Sequence, residues 1–536
     1  MTRDSRVAFL FWFQVMAFFL LGARLIDLQL IKGERNRILA NENRVKKMVL
    51  PAGRGIIYDS LGRPLVENIP FYLLGQKDDQ FSWRPITRLE ALEMEAQGGD
   101  GKENLRVEVS RRYLFGPALA HLIGFVQEAR KEEIGELISR GDLVGRGGIE
   151  QQYDALLRGV NGWEVFETDA LGNQVRSLGK VDPRAGRDLR LTIDAHLSQA
   201  AYEALGDQAG AVIVSRPLTG EILVLISTPS FDPTRLAMGL NVQDYQEILE
   251  DPRRPFFNRA IGGVYPPGSV FKIVTAAAGL EEGKIIPETL INDTGVIRIG
   301  DFVYRNWYFT QYGRTEGEIN LVTALKRSTD TFFYKVGEWV GPELLALWAT
   351  RFGLGEKTGL DLPGEVGGLV PDPEWKKEIR GERWFLGNTY HFAIGQADLT
   401  ATPLQINQMT AVIAGQGQWC RPKVAKQRKT QCQDLGLSGT TVAAIREGMK
   451  EACSEGGTAY PLFDFDPAVA CKTGTAQFGF LSEDSEKNQT HAWLTAFAPV
   501  ENPEVAITVL VEAGGEGSRD AAPVAKKILE EWFGRI

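Results

Sequence analysis

The chain has 536 residues, 43% of them hydrophobic and 24% charged, an ordinary globular composition too long for one core, so two or three domains are expected. A formal net charge of −9 argues against a nucleic-acid partner, because phosphate binding wants a basic surface. Four cysteines and four histidines, with no pair at zinc-ligand spacing, argue against a structural metal.

Residues Val7 to Ala23 read VAFLFWFQVMAFFLLGA, and an apolar face continues through Arg24 and Asp27 to Ile31. About 20 apolar residues span a bilayer as a helix, and the segment reaches that length if Arg24 snorkels. It reads as an uncleaved anchor over residues 1–31. A cleaved signal peptide and a buried core helix are the alternatives, but no small-x-small cleavage site follows the run. Positive charges flank both ends, so charge alone does not set the orientation.

Residues 32–188 form a mixed spacer in which nothing looks catalytic. Arg54–Asp59 and Leu61–Val66 read as two short strands around a turn, Arg88 to Glu103 as a charged helix and Ile149 to Leu157 as another. Trp163–Thr168 and Asn173–Ser177 read as a hairpin about Ala170-Leu171-Gly172. From residue 189 the composition changes. Gly210–Arg216 and Glu221–Ser227 are apolar strands joined by Pro217-Leu218-Thr219-Gly220. Val469–Ala476, His491–Pro499 and Glu504–Glu512 supply three more strands, and a last helix runs from Ala521 to Trp532. About 240 residues of helical periodicity separate the two strand groups. Strands gathered from both ends of a segment predict one antiparallel sheet covered by helices. Cys420 and Cys432 flank a basic, turn-rich segment; a bridge between them and unpaired thiols are both open readings.

Three short segments carry chemistry. Tyr265-Pro266-Pro267-Gly268-Ser269-Val270-Phe271-Lys272 places Ser269 at the start of a helix that is apolar on every face, with Lys272 one turn along. A lysine in such a helix is costly unless it is paired or neutral, and a neutral lysine beside a serine gives a nucleophile its own base. Ser328-Thr329-Asp330 lies between apolar runs. Lys472-Thr473-Gly474-Thr475 lies within an apolar strand. Each tripeptide is common: Ser177-Leu178-Gly179-Lys180, read as a Gly-rich turn, and Lys357-Thr358-Gly359, read as a loop, match the same patterns. A Ser-His-Asp triad fails on inventory, since neither His391 nor His491 belongs to a triad motif and no Gly-x-Ser-x-Gly elbow is present.

The order of the three segments resembles the active-site set of penicillin-binding proteins and class A β-lactamases. The resemblance extends to Arg24–Gln29, Arg54–Asp59, Gly147-Gly148-Ile149-Glu150, Lys357–Glu365, Gly395-Gln396 and Thr402–Gln405, all similar to class B penicillin-binding proteins. The aspartate in Ser328-Thr329-Asp330, where most of the superfamily has asparagine, resembles the elongation-type penicillin-binding protein 2. The resemblance implies an α+β or α/β fold with a single transmembrane helix, an extended mixed pedestal (dimerisation-like) domain over 32–188 and a transpeptidase domain over 189–536. It implies a serine-type D,D-transpeptidase that cross-links peptidoglycan stem peptides ending in D-alanyl-D-alanine, with carboxypeptidase activity on the side and β-lactams as acylating inhibitors.

By the same resemblance Ser269 is the nucleophile and Lys272 its base. Ser328 passes a proton to the leaving group. Asp330 holds Lys272 or the substrate amide and can also pair with Lys472. Lys472, Thr473, Gly474 and Thr475 bind the carboxylate, and the N–H groups of Ser269 and Thr475 form the oxyanion hole. No cofactor is implied. Some relatives carry a metal between the first two motifs, but residues 290–320 contain no His or Cys, so no metal is carried over. The implied partners are lipid-linked nascent glycan, the inner membrane and a membrane glycosyltransferase of the shape-and-division (SEDS) family, with the catalytic domain on the periplasmic side. A division-type septal transpeptidase and a non-catalytic scaffold are the alternatives. A secreted β-lactamase would need neither the anchor nor the spacer.

Overall fold

The computed structural model describes residues 3–75, 83–97, 105–135, 137–169, 174–240, 242–478 and 489–535. The chain divides into two compact units: residues 1–55, 128–142 and 155–187, and residues 56–127, 143–154 and 188–536. These units interleave along the chain, whereas the segments expected from the sequence run consecutively. Ile57-Tyr58 pairs in parallel with Leu189-Arg190, and a buried Arg111–Glu150 ion pair of 2.6 Å ties two parts of the spacer within the second unit. The interrupted path follows from these long-range pairings, which no local pattern announces.

In the first unit, a helix over Arg3–Ile26 is followed by a π-helical turn, Asp27–Ile31. The apolar stretch Val7–Ile31 has a mean hydropathy of 1.9 and none of it is buried in protein. Phe18 and Phe19 are fully presented to the surroundings at 81% and 80% exposure, which a soluble core helix would not allow. Arg24 and Lys32 both pair with Asp27, at 2.8 and 2.9 Å. A second helix, Gly33–Arg44, leads into a three-stranded antiparallel sheet of Val45–Leu50, Gly162–Thr168 and Gln174–Val181. The proposed hairpin is present in its two strands, and its turn lies outside the described residues. Ser177-Leu178-Gly179-Lys180 lies on the exposed third strand, not in a turn, because its backbone pairs with Gly162–Thr168.

Elsewhere in the spacer the short strand Ile57-Tyr58 is present, but Leu61–Val66 leads into a longer strand, Val66–Gly75, paired with Leu105–Tyr113. The helix expected from Arg88 covers Arg88–Gln97, and its remaining residues lie outside those described. The helix expected over Ile149–Leu157 breaks at Tyr153 into Gly148–Gln152 and Asp154–Arg158.

The second unit is built on a five-stranded antiparallel sheet of β1 (Gly210–Ser215), β2 (Ile222–Thr228), β3 (Ala470–Gln477), β4 (Thr490–Ala498) and β5 (Val505–Val511), in the order β2-β1-β5-β4-β3. Period-two alternation sorts its side chains into two cores. Leu494, Ala496, Ile507 and Val509 face the helices Ala195–Leu205 and Ala522–Phe533; Trp493, Phe497, Ala506 and Leu510 face the middle helices. Those middle helices include α1 (Lys272–Glu281), α2 (Leu321–Arg327), α3 (Asp330–Val340) and α4 (Pro403–Ala414).

Helix α4 is buried along its whole length and lies against the sheet, where Asn407 bonds Ser215 Oγ at 2.5 Å and Thr410 bonds Thr495 Oγ1 at 2.6 Å. Both cysteine pairs are disulfides, Cys420–Cys432 and Cys453–Cys471, and the second was not anticipated. The middle region is not wholly helical: three two-stranded sheets interrupt it, Ile291–Asp293 with Gly317–Ile319, Val296–Ile299 with Phe302–Arg305, and Gln418–Cys420 with Cys432–Asp434.

Several of the segments quoted for the resemblance are structural fastenings. Asp59 accepts bonds from the N–H groups of Leu61 and Arg63, and Asp361 from those of Val424 and Ala425. Glu365 accepts from the N–H groups of Thr358 and Gly359, which fixes Lys357-Thr358-Gly359 as a loop, whereas its look-alike Lys472-Thr473-Gly474 lies on a strand.

Candidate active site

Ser269 lies in a 3-10 turn, Gly268–Phe271, that leads into α1. The expected helix cap is absent, because the side chain makes no capping bond and the regular helix begins only at Lys272. Two glycines seat the turn. Gly268 has φ +58° and its Cα lies against β3, where an added Cβ would come within 3.1 Å of Thr475 O. Its N–H donates to Gly395 O at 2.8 Å, and Gly395, at φ +76°, leaves no room for a Cβ beside the Gly268 carbonyl. Trp493 Nε1 donates to Pro266 O at 3.1 Å from the other side. The turn is thus wedged against the edge strand with Ser269 half-buried.

Lys272 is fully buried among apolar neighbours, as the sequence predicts. Its Nζ donates to Asp330 Oδ1 at 2.7 Å, Ser328 O at 2.7 Å and Ser328 Oγ at 3.2 Å, so all three donors are used and none on Ser269. Burial pushes the amine below the usual lysine value, and Asp330 opposes that shift. Asp330 pairs with Lys272, and it acts on the Lys472 amine through its charge and not through a hydrogen bond.

Ser328 ends α2 in the left-handed region at φ 56°, a conformation a non-glycine residue adopts only under constraint. That bend places its hydroxyl between two amines. Lys472, fully buried on β3, donates to Ser328 Oγ at 2.8 Å and to Thr473 O at 2.9 Å. Burial holds Lys472 well below the ordinary lysine range, and the charge of Lys272 pushes it the same way. The structure therefore brings one residue of each motif into one chain of contacts: Lys272, Ser328, Lys472.

Thr473 Oγ1 is bonded to Thr458 Oγ1 at 2.7 Å, whereas Thr475 is exposed. Thr475 O accepts from Gln396 Nε2 at 3.5 Å, so that carbonyl points away from β4. In an antiparallel strand the N–H and C=O of one residue point to the same side. The Thr475 N–H accordingly faces the outer edge, where the Ser269 turn sits. Gly474 lies between them, its Cα against Pro267 O and Val270. His491 stacks on Phe478 with ring centroids 4.0 Å apart, and burial pushes it down to about 4. It is a neutral packing residue. Among the described residues no group of His, Cys, Asp and Glu could hold a metal ion.

Comparison with known proteins decides the family. A family model described as penicillin binding protein transpeptidase domain matches residues 210–530, and one described as penicillin-binding protein dimerisation domain matches 76–191. The chain belongs to the penicillin-binding transpeptidases. The peptidoglycan D,D-transpeptidase MrdA of Acinetobacter baumannii is 32% identical over 99% of this chain and 87% of its own length. Penicillin-binding protein 2 (PBP2) of Helicobacter pylori, solved in complex with MreC, is 29% identical with a TM-score of 0.81, covering 92% of this chain and 99% of that one. A chain from a structure of a peptidoglycan synthase complex that coordinates polymerization and crosslinking is 30% identical, with a TM-score of 0.79 and coverage of 99% and 98%. The similarity to the elongation-type PBP2, drawn first from Ser328-Thr329-Asp330, is borne out, and the chain is a serine-type transpeptidase with a dimerisation domain, a transpeptidase domain and one apolar N-terminal helix long enough to span a membrane.

Proposed function

We propose that the chain cross-links peptidoglycan stem peptides ending in D-alanyl-D-alanine during cell-wall elongation, through an acyl-enzyme on Ser269. The observation that carries this reading is the buried chain Lys272–Ser328–Lys472, with Asp330 on Lys272, beside the half-exposed Ser269 turn.

Two buried amines face one carboxylate, so a second proton is unfavourable until a second anion arrives. The terminal carboxylate of the stem peptide supplies that anion beside Lys472, Thr473 and Thr475. Lys472 becomes the ammonium, the proton moving from Lys272 through the Ser328 hydroxyl, and Lys272 is left as the base. Ser269 Oγ then gives its proton to Lys272 and attacks the carbonyl of the penultimate D-alanine. The N–H groups of Ser269 and Thr475 stabilise the oxyanion, at about 3 kcal/mol for each such donor. The peptide C–N bond breaks, Ser328 delivers its proton to the leaving D-alanine and takes one back from Lys272, and the acyl group stays on Ser269. An amine from a neighbouring stem attacks the ester, forms the cross-link and returns the proton to Ser269. Water in place of that amine gives carboxypeptidase activity, and a β-lactam acylates Ser269 by the same path.

In this reading the N-terminal helix anchors the chain in the inner membrane and the catalytic residues work on its outer face. The chain's working partner is a membrane-embedded SEDS-family glycosyltransferase that polymerises lipid-linked glycan. Both readings draw support from the exposed apolar Arg3–Ile26 helix and from the synthase-complex and MreC-complex neighbours. Incubating the full chain with a synthetic stem pentapeptide and a stem-derived amine tests the reaction. Release of D-alanine with formation of the amide product is expected, and D-alanine release that persists in Ser269→Ala would refute the assignment.

A further inference from the structure

Asp293 is a carboxylate buried to 2% exposure, with no cation in salt-bridge contact among the described residues. Four donors satisfy it instead: the Gly295 N–H at 2.9 Å and Thr331 Oγ1 at 2.6 Å on one oxygen, Asn306 Nδ2 at 2.9 Å and the Glu316 N–H at 2.9 Å on the other. Asn306, wholly buried, turns its own Oδ1 to the Asp330 N–H at 3.1 Å. The next residue's N–H, on Trp307, donates to Asp330 Oδ2 at 3.0 Å.

Asp330 is thus held on three sides, by its own N–H, by its carboxylate and by the Thr331 hydroxyl beside it in sequence. Each hold leads back to Asp293 within one or two bonds. What these contacts fix is the oxygen Oδ1 that meets Lys272. A carboxylate buried with four donors and no cation is an expensive way to close a hairpin, since two backbone turns could do that alone.

We propose that Asp293 and Asn306 are positioning residues for the transpeptidase reaction, aiming the Asp330 carboxylate at Lys272 and so setting the pH at which Lys272 becomes a base. The inference rests on the reading of Lys272 as that base. The charged or titratable groups around Lys272 are Asp330 on α3 and Lys472 on β3, with Ser328 between them; the Tyr334 phenol lies against Asp330 from within α3. Neither Asp293 nor Asn306 touches Lys272, so their effect passes through Asp330.

The test measures the second-order rate constant for acylation of the full chain by a fluorescent penicillin, from mildly acidic to mildly alkaline pH. The saturating label per chain gives the folded fraction, so a loss of folded protein does not mimic a loss of rate. Asn306→Ala should lower the rate constant about tenfold, as loss of a hydrogen bond to a charged network implies. It should also move the acidic limb to lower pH, because a loosened Asp330 holds the Lys272 proton less well. Asn306→Asp sets two carboxylates against each other, so its loss should grow with pH, and adding Asp293→Asn restores one donor facing one acceptor and should recover part of the rate. Asp330→Asn serves as the reference. If it leaves the acidic limb in place, the reading of Lys272 fails and this inference falls with it. If it moves the limb while Asn306→Ala changes only the labelled fraction, the reading stands and the positioning role is refuted.

Discussion

Lys272 and Lys472 bring the same side chain into one buried site, yet replacing each by methionine should move stability in opposite directions. Lys472 is fully buried and its amine meets only Ser328 Oγ and Thr473 O, with no carboxylate in salt-bridge range among the described residues. An apolar side chain of similar volume removes that cost, and such exchanges of buried ionic groups are neutral to stabilising by about 1–4 kcal/mol; we take about 2 kcal/mol. Lys272→Met instead strands the Asp330 carboxylate, whose remaining donor is the Trp307 N–H, and breaking a buried pair costs about 3–5 kcal/mol.

The two variants should therefore differ by about 6 kcal/mol, or about 12 °C in melting temperature at about 2 °C per kcal/mol for a large unit. The sign with pH follows from the depressed Lys472. Between its folded value and the free-lysine value the unfolded chain binds one proton more than the folded chain, so the parent gains stability as pH rises, by at most about 1.4 kcal/mol per pH unit. Methionine has no such slope. The advantage of Lys472→Met should be largest at the acid end and shrink toward the free-lysine value. Thermal unfolding of both variants in detergent, across pH, reads this directly. Destabilisation by both, or a Lys472→Met advantage that does not change with pH, would refute the electrostatic picture of the site.

Asp330→Asn keeps the shape but removes the charge that opposes the downward shift of Lys272, so the acidic limb of penicillin acylation should move to lower pH; an upward move would contradict the pairing. Gly395→Ala introduces a Cβ at positive φ against the Gly268 carbonyl, and should cost more than about 1 kcal/mol and slow acylation with little change in the pH profile, measured by unfolding and labelling kinetics. Cys453→Ser with Cys471→Ser opens an 18-residue closure that ends one residue before Lys472, and should cost about 3 kcal/mol in thermal unfolding and slow acylation; reductant should reproduce both effects in the parent.

Much of this site was legible before folding was considered. A serine followed by a lysine in an all-apolar helix, and a second lysine in an apolar strand, are costly unless they meet partners, and they meet each other through Ser328. The five strands were legible from their alternating or continuous apolar runs, and the N-terminal helix from length and composition. What stayed hidden depends on contacts between residues distant in sequence. Asp293 and Asn306 look like ordinary turn residues until the hairpin brings them to Asp330. The Cys453–Cys471 pairing has no spacing signature. The 3-10 turn at Ser269 is imposed by Gly395 and β3, which lie more than a hundred residues downstream, so local propensity at Ser269 favoured a helix cap that the packing does not use. The interleaving of the two compact units stayed hidden for the same reason, because Ile57 pairs with Leu189 across the spacer.

The central claim is that Ser269 is acylated with the help of Lys272. Intact-protein mass measurement after exposure to a fluorescent penicillin, followed by peptide mapping, tests it most directly. One adduct per chain on the peptide containing Ser269, absent in a folded Ser269→Ala variant and formed far more slowly in Lys272→Met, is the predicted result. An adduct on any other residue, or undiminished acylation in either variant, would contradict it.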